Sequence, residues 1–176
     1  HTGDDGPEEA YIVPSSTAAT VDSSFQAWDI ENTTLNFHDS LFSHPLESDM
    51  VAYVFHSVKG YSKFGYYVPN NGNILVNTGF RPAMIWLKVV DGTGTWDIYT
   101  RNVQQYTGNL IDARLNIASD DGQYGAANGT DDYQVRFTSN GFYIAGGTGG
   151  NNSNSSYDRY IYLAWAHQPQ KYANAN

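Results

Sequence analysis

With 176 residues, 40% of them hydrophobic and 15% aromatic, the chain is long enough to bury one core. A net charge of −9 with only nine scattered Lys and Arg argues against a nucleic-acid partner, and no apolar run approaches the roughly 20 residues of a membrane-spanning helix. Cysteine is absent, which excludes disulfides, thiol catalysis and cysteine metal sites.

Residues 1–25 are small, polar and acidic, carry two prolines and show little periodicity, so they read as an extended arm. If a neighbouring subunit orders it, Tyr11, Ile12 and Val13 are its apolar anchor. Between Phe25 and Phe42 aromatic residues recur without helical spacing, and His44-Pro45 marks a break. Residues 50–58 (MVAYVFHSV) alternate and predict a strand, ended by Gly60. Strand-like runs follow at 64–68 and 74–76, separated by the turn residues Pro69-Asn70-Asn71-Gly72. The most apolar run, residues 83–90 (AMIWLKVV), predicts a central strand, and Asp91-Gly92-Thr93-Gly94 turns it into a partner at 95–100. A second hairpin is predicted from 133–137 and 142–145 around Thr138-Ser139-Asn140-Gly141. Residues 146–156 form a Gly, Asn and Ser loop, and 159–167 (RYIYLAWAH) predict the last long strand.

No stretch sustains a 3.6-residue apolar stripe, and breaks recur at the spacing of sandwiches and barrels. The expected fold is all-β: a single jelly-roll-like β-sandwich over 26–176, preceded by the arm. The 14 Tyr suit its pleated faces, since each offers an apolar body and a polar tip. Charged residues are only 15% of the chain, so its surface must be made polar largely by uncharged side chains.

Four stretches also carry a resemblance: KGYSKFG at 59–65, TGFRPA at 78–83, YIYLAWA at 160–166 and KYANA at 171–175. In order and spacing they resemble a domain found near the C-terminal end of virion and tail-fibre-like proteins of marine tailed phages. The resemblance covers residues 50–176. The chain departs from that pattern at His167, where an acidic residue is usual, and at Asn176, where the pattern has Arg. It implies a structural virion protein, a fibre or capsid-surface subunit exposed on the particle, with itself and other virion proteins as partners. The alternative is a carbohydrate- or host-receptor-binding module of a phage fibre.

The residues have their own reading. Gly60 and Gly65 bracket Tyr-Ser-Lys-Phe and suggest a bend that needs positive φ or close backbone approach. Arg81 precedes Pro82, is held extended, and could clamp a carboxylate across a subunit boundary, although a solvated or intrachain-paired arginine is the plainer reading. Trp96, Tyr99, Tyr106 and Tyr124 stand beside Asn and Asp loops and are the candidates for stacking on sugar rings or packing between subunits. Asp120, Asp121, Asp131 and Asp132 flank a Gly- and Asn-rich loop and are the candidates for calcium, with solvated turn residues as the default. No other cofactor is expected. The five histidines lack metal-ligand spacing; His56 and His167 read as hydrogen-bonded sheet residues, and His38, Asp39 and His44 as surface residues. There is no GxSxG elbow, and no spacing sets two carboxylates across a cleft, so no enzyme is expected.

Overall fold

The computed structural model describes residues 53–70, 72–101, 111, 113–117, 135–145 and 159–168 in full, and the backbone alone at 10–11, 21–22, 28–31, 34–37, 105–106 and 110. Among the described residues every regular element is a strand. In chain order they are β1 (Ala10–Tyr11), β2 (Val21–Asp22), β3 (Trp28–Glu31), β4 (Thr34–Phe37), β5 (Ser62–Tyr67), β6 (Ile74–Asn77) and β7 (Pro82–Val89). There follow β8 (Asp97–Thr100), β9 (Gln105–Tyr106), β10 (Leu110–Ile111), β11 (Leu115–Asn116), β12 (Val135–Thr138), β13 (Gly141–Ile144) and β14 (Tyr160–Ala166).

Two antiparallel five-stranded sheets make the sandwich. The first runs β11-β8-β7-β14-β5 and the second β6-β13-β12-β10-β9. The apolar run read as a central strand is β7, in the middle of the first sheet between β8 and β14. Both predicted hairpins form, β7 with β8 and β12 with β13. Of the expected arm only β1 and β2 are described, and they pair with each other. β3 and β4 form a further hairpin where the sequence reading assigned no strand.

The core lies between the sheets. Ile85, Leu87 and Val89 of β7, Tyr160, Tyr162 and Ala164 of β14, and Tyr67 and Tyr99 meet Val76, Ile111, Val135, Phe137, Phe142 and Ile144 of the second sheet. Each set alternates along its strand, the period-2 signature of one buried face. The Phe142 ring is the keystone, edge-on to Tyr67 at 6.5 Å and to Tyr162 at 5.4 Å across the two sheets.

The motif glycines have local causes. Gly60 sits at φ 75° in the turn before β5, a conformation that costs other residues 1–2 kcal/mol or so. Gly65 lies under the Tyr162 ring, whose hydroxyl would stand 2.9 Å from an added Cβ. Gly141 is packed against the Val76 carbonyl of β6 and has no room for a Cβ. TGFRPA forms the crossover between sheets. Thr78 and Gly79 donate backbone N–H bonds to the Asn140 carbonyl at 3.0 and 3.3 Å, the Thr78 hydroxyl donates to the Phe80 carbonyl at 2.7 Å, and Phe80 is buried.

One expected strand does not form. Among the described residues of that run, 53–57 belong to no strand and Val58 makes an isolated bridge, to Ser62; residues 50–52 lie outside the described residues. The Ser57 hydroxyl takes the place of a backbone partner, accepting from the Phe64 N–H at 3.0 Å. A side chain inserted at the edge ends the ladder.

Candidate interaction surface

The outer face of the first sheet is unusually apolar. Register places Phe64, Leu163, Trp86, Ile98 and Leu115 in one row across all five strands. Trp165 and Met84 stand in the next row, with Ser62 and Thr100 at its ends. The rings touch in a chain: Phe55 to Phe64 at 6.2 Å, Phe64 to Trp165 at 5.6 Å, Trp165 to Trp86 at 5.5 Å and Trp86 to Trp96 at 6.4 Å. The indole N–H groups of Trp86 and Trp96 are buried without a hydrogen-bond partner among the described residues, a cost that ring burial must offset. Towards the β5 edge the ridge opens to solvent, with Tyr53 82%, Phe55 57% and Tyr66 61% exposed. Arg159 lies 5.2 Å over the Tyr66 ring.

A basic rim adjoins this ridge. At the end of β14 the Ala166 N–H donates to the Tyr61 carbonyl and the His167 N–H to the Arg81 carbonyl, both at 2.8 Å. These bonds draw the starts of β5 and β7 to one end of the sheet. Lys59, Lys63, Arg81 and His167 are all exposed there, beside a half-exposed Tyr61. Among the residues described in full the acids are Asp91 and Asp97. Asp91 lies past the far end of β7, within 3.4 Å of the Arg159 N–H, and Asp97 is buried.

Asp97 and Arg114 form a closed ion pair. The Arg114 Nη1 donates to Oδ2 at 2.5 Å and the Thr95 hydroxyl to Oδ1 at 2.6 Å, with both charged side chains 4% exposed. Burial pushes the Asp97 carboxyl up, while Arg114, Thr95 and Lys88 pull it back. Lys88 is itself buried, its Nζ donating to the Val89 carbonyl at 2.9 Å, and burial lowers its ammonium. Desolvation also raises the Tyr67 phenol, which stacks on Tyr160 at 5.3 Å. With no open face, this cluster ties β8 to the 113–117 segment and offers a ligand nothing to reach.

The sequence candidates are distributed unevenly. Arg81 is exposed and stands immediately before β7. Trp96 and Tyr99 are corrections: both are buried, Tyr99 facing the core and Trp96 lying against Trp86, so neither is presented for stacking on a sugar. The turn residues beside them suggested exposure, but a strand adjoining a turn still alternates into the core. His56 and His167 are corrected too, since both are exposed and stand outside the strands. Tyr11 and Tyr106 are described as backbone only, in β1 and β9. Tyr124, His38, Asp39, His44 and the calcium candidates Asp120, Asp121, Asp131 and Asp132 lie outside the described residues. Among the described residues no group of three or more His, Asp or Glu is placed to hold a metal. The sequence reading missed the ridge: Phe64 and Trp165 carried a signal only as the second apolar parity of β5 and β14, and Phe55 stands outside the strands.

These features define an all-β sandwich whose first sheet is apolar on both faces and basic at one rim. The chain belongs to the family described as Domain of unknown function (DUF7483), which matches residues 7–169. No curated protein and no solved structure matches it.

Proposed function

We propose that this domain is a structural subunit of a tailed-phage virion, a fibre or capsid-surface component that acts through contacts with copies of itself and with other virion proteins. The supporting observation is the outer face of the first sheet. Sheets apolar on both faces are ordinarily covered on both, and among the described residues Phe55 and Trp96 lie against the ridge. Exposed aromatic side chains such as Tyr53, Phe55 and Tyr66, beside a half-buried row of apolar residues, mark association sites. The phage-like motifs KGYSKFG, TGFRPA and YIYLAWA supply the context, and the structure gives each a fold-making role: an edge corner, a sheet crossover and an inner strand.

The test is mass against concentration by light scattering, run beside a host-glycan binding screen. Self-association or binding to purified virion proteins, weakened by Phe55→Ser with Tyr66→Ser, is the expected result. A monomer that binds none of these proteins but does bind host glycans would replace this reading with that of a carbohydrate-binding module.

A further inference from the structure

The stretch from Tyr53 to Val58 carries two conflicting instructions. Its sequence alternates as a strand, and a hairpin that would zip it onto β5 has already begun. Val58 and Ser62 exchange both backbone bonds at 2.9 Å, around a turn that holds Gly60 at φ 75°. Continued outward, that register pairs His56 with Phe64 and Val54 with Tyr66. Phe64 and Tyr66 are positioned for it. The bond from Ala166 to the Tyr61 carbonyl turns the odd-numbered residues of β5 toward β14, so the backbone groups of Phe64 and Tyr66 face the open edge. Yet the ladder stops at its first rung. The Ser57 hydroxyl accepts from the Phe64 N–H at 3.0 Å and donates to the Phe64 carbonyl at 3.5 Å, filling both places that His56 would take. The Ser62 hydroxyl holds the His56 carbonyl aside at 2.8 Å. Phe55 is left on the outer face, its ring 6.2 Å from Phe64 and 6.0 Å from Trp165.

We infer that residues 53–58 are a switch strand with two registers, one held by the Ser57 hydroxyl and one zipped onto β5 as a sixth strand of the first sheet. In the zipped register His56 and Phe64 exchange their backbone bonds, and so do Val54 and Tyr66. These replace the side-chain bonds of Ser57 and Ser62. Zipping also turns the stretch over. Residues directly opposite share a face, so Val54 and His56 come to lie beside Tyr66 and Phe64 on the outer side. Phe55 moves to the inner side, opposite Gly65, whose bare backbone already lies under the Tyr162 ring. An aromatic residue across from a strand glycine covers that backbone. Bonds of similar kind are gained and lost, which is the condition for two states to coexist. Phe64 and Trp165 lose the Phe55 ring on zipping, so the switch changes what the ridge displays. It goes beyond the assembly reading and holds whether or not the ridge is an interface.

Hydrogen exchange, read residue by residue by NMR on the full-length chain, tests it with two substitutions of the same shape. Ser57→Val removes the hydroxyl, and Ser57→Thr keeps it with the same branching. The Val54, His56 and Tyr66 amides should exchange at least tenfold more slowly in Ser57→Val than in the wild type. A cross-strand contact between the α-protons of Phe55 and Gly65 should accompany that protection. Ser57→Thr should exchange as the wild type does. Ser57 is exposed, thermal melting checks that both variants fold, and Ser57→Ala repeats the measurement should the valine disturb the turn. Unchanged exchange at Val54 and His56 in both hydroxyl-free variants would overturn the switch. Equal protection in Ser57→Thr and Ser57→Val would overturn it too, since strand propensity and not the hydroxyl would then set the register.

Discussion

The two sheets share one core and differ on their outer faces. In the second sheet the alternation is sharp: Val135 and Phe137 face inward, while Arg136 is exposed and lies 5.7 Å from the half-buried Tyr143 ring, and among the sheet's residues described in full Leu75 is the one exposed large apolar side chain. In the first sheet Phe64, Leu163, Trp86 and Ile98 fill the outward row that solvent would normally claim. A half-buried sheet needs one apolar parity, so the second parity of the first sheet is surplus to holding the sandwich together. That surplus is the surface proposed for association.

The largest losses are expected at the shared core. Gly141 pairs with Asn77 of β6 and faces the Val76 carbonyl, so Gly141→Val should cost about 4 kcal/mol or more, seen as loss of the cooperative urea transition. The buried pair comes next. Arg114→Leu strands the Asp97 carboxylate and should cost about 3 kcal/mol at neutral pH.

The pH sign of that effect follows from Asp97. Burial raises its folded-state carboxyl above the unfolded value of about 3.9. The folded chain therefore holds this proton more tightly than the unfolded chain. The contribution is fully present below about pH 4 and is lost as pH rises through the folded value. Without Arg114 the strongest opposing pull is gone and the carboxyl rises further, so the variant's deficit should shrink as pH falls into the carboxylate range. A deficit independent of pH, in urea midpoints from acid to neutral, would contradict the stranded-carboxylate account.

The outer faces give the smaller effects. Trp165 touches Phe55, Phe64 and Trp86, and Trp165→Ala should cost about 2 kcal/mol. Tyr143→Ala, on the outer face of the second sheet, should cost less than about 1 kcal/mol. Equal losses at the two positions would erase the distinction between the faces. Arg136→Ala, which removes only an exposed cation over a ring, should fall near ~0.5 kcal/mol in the same denaturation assay.

Much of this sandwich is legible in the sequence because long alternating runs have little choice. Residues 83–90 and 159–167 became β7 and β14 within a residue or two. Four-residue strands were harder: Trp28-Asp29-Ile30-Glu31 and Thr34-Leu35-Asn36-Phe37 alternate, but each is too short to stand out from its polar surroundings, and only their mutual pairing makes them strands. The opposite error came at residues 53–57, where a perfect alternation met an edge already plugged by the Ser57 hydroxyl. The interaction surface was harder still. Arg81 could be placed because proline restrains it, but the convergence of Lys59, Lys63 and Arg81 depends on β14 bonding to both flanks at once. A ring such as Trp96 beside a Gly-rich turn looks exposed until its neighbour Trp86 is known to lie across the hairpin.

The most direct test is hydroxyl-radical footprinting of the chain, dilute and then concentrated. Protection on concentration should appear at Tyr53, Phe55 and Tyr66, while Leu75 and Tyr143 on the second sheet keep their reactivity. Protection confined to the second sheet, or a pattern that concentration leaves unchanged in a chain shown to associate, would mean that the apolar outer face of the first sheet is not where these molecules meet.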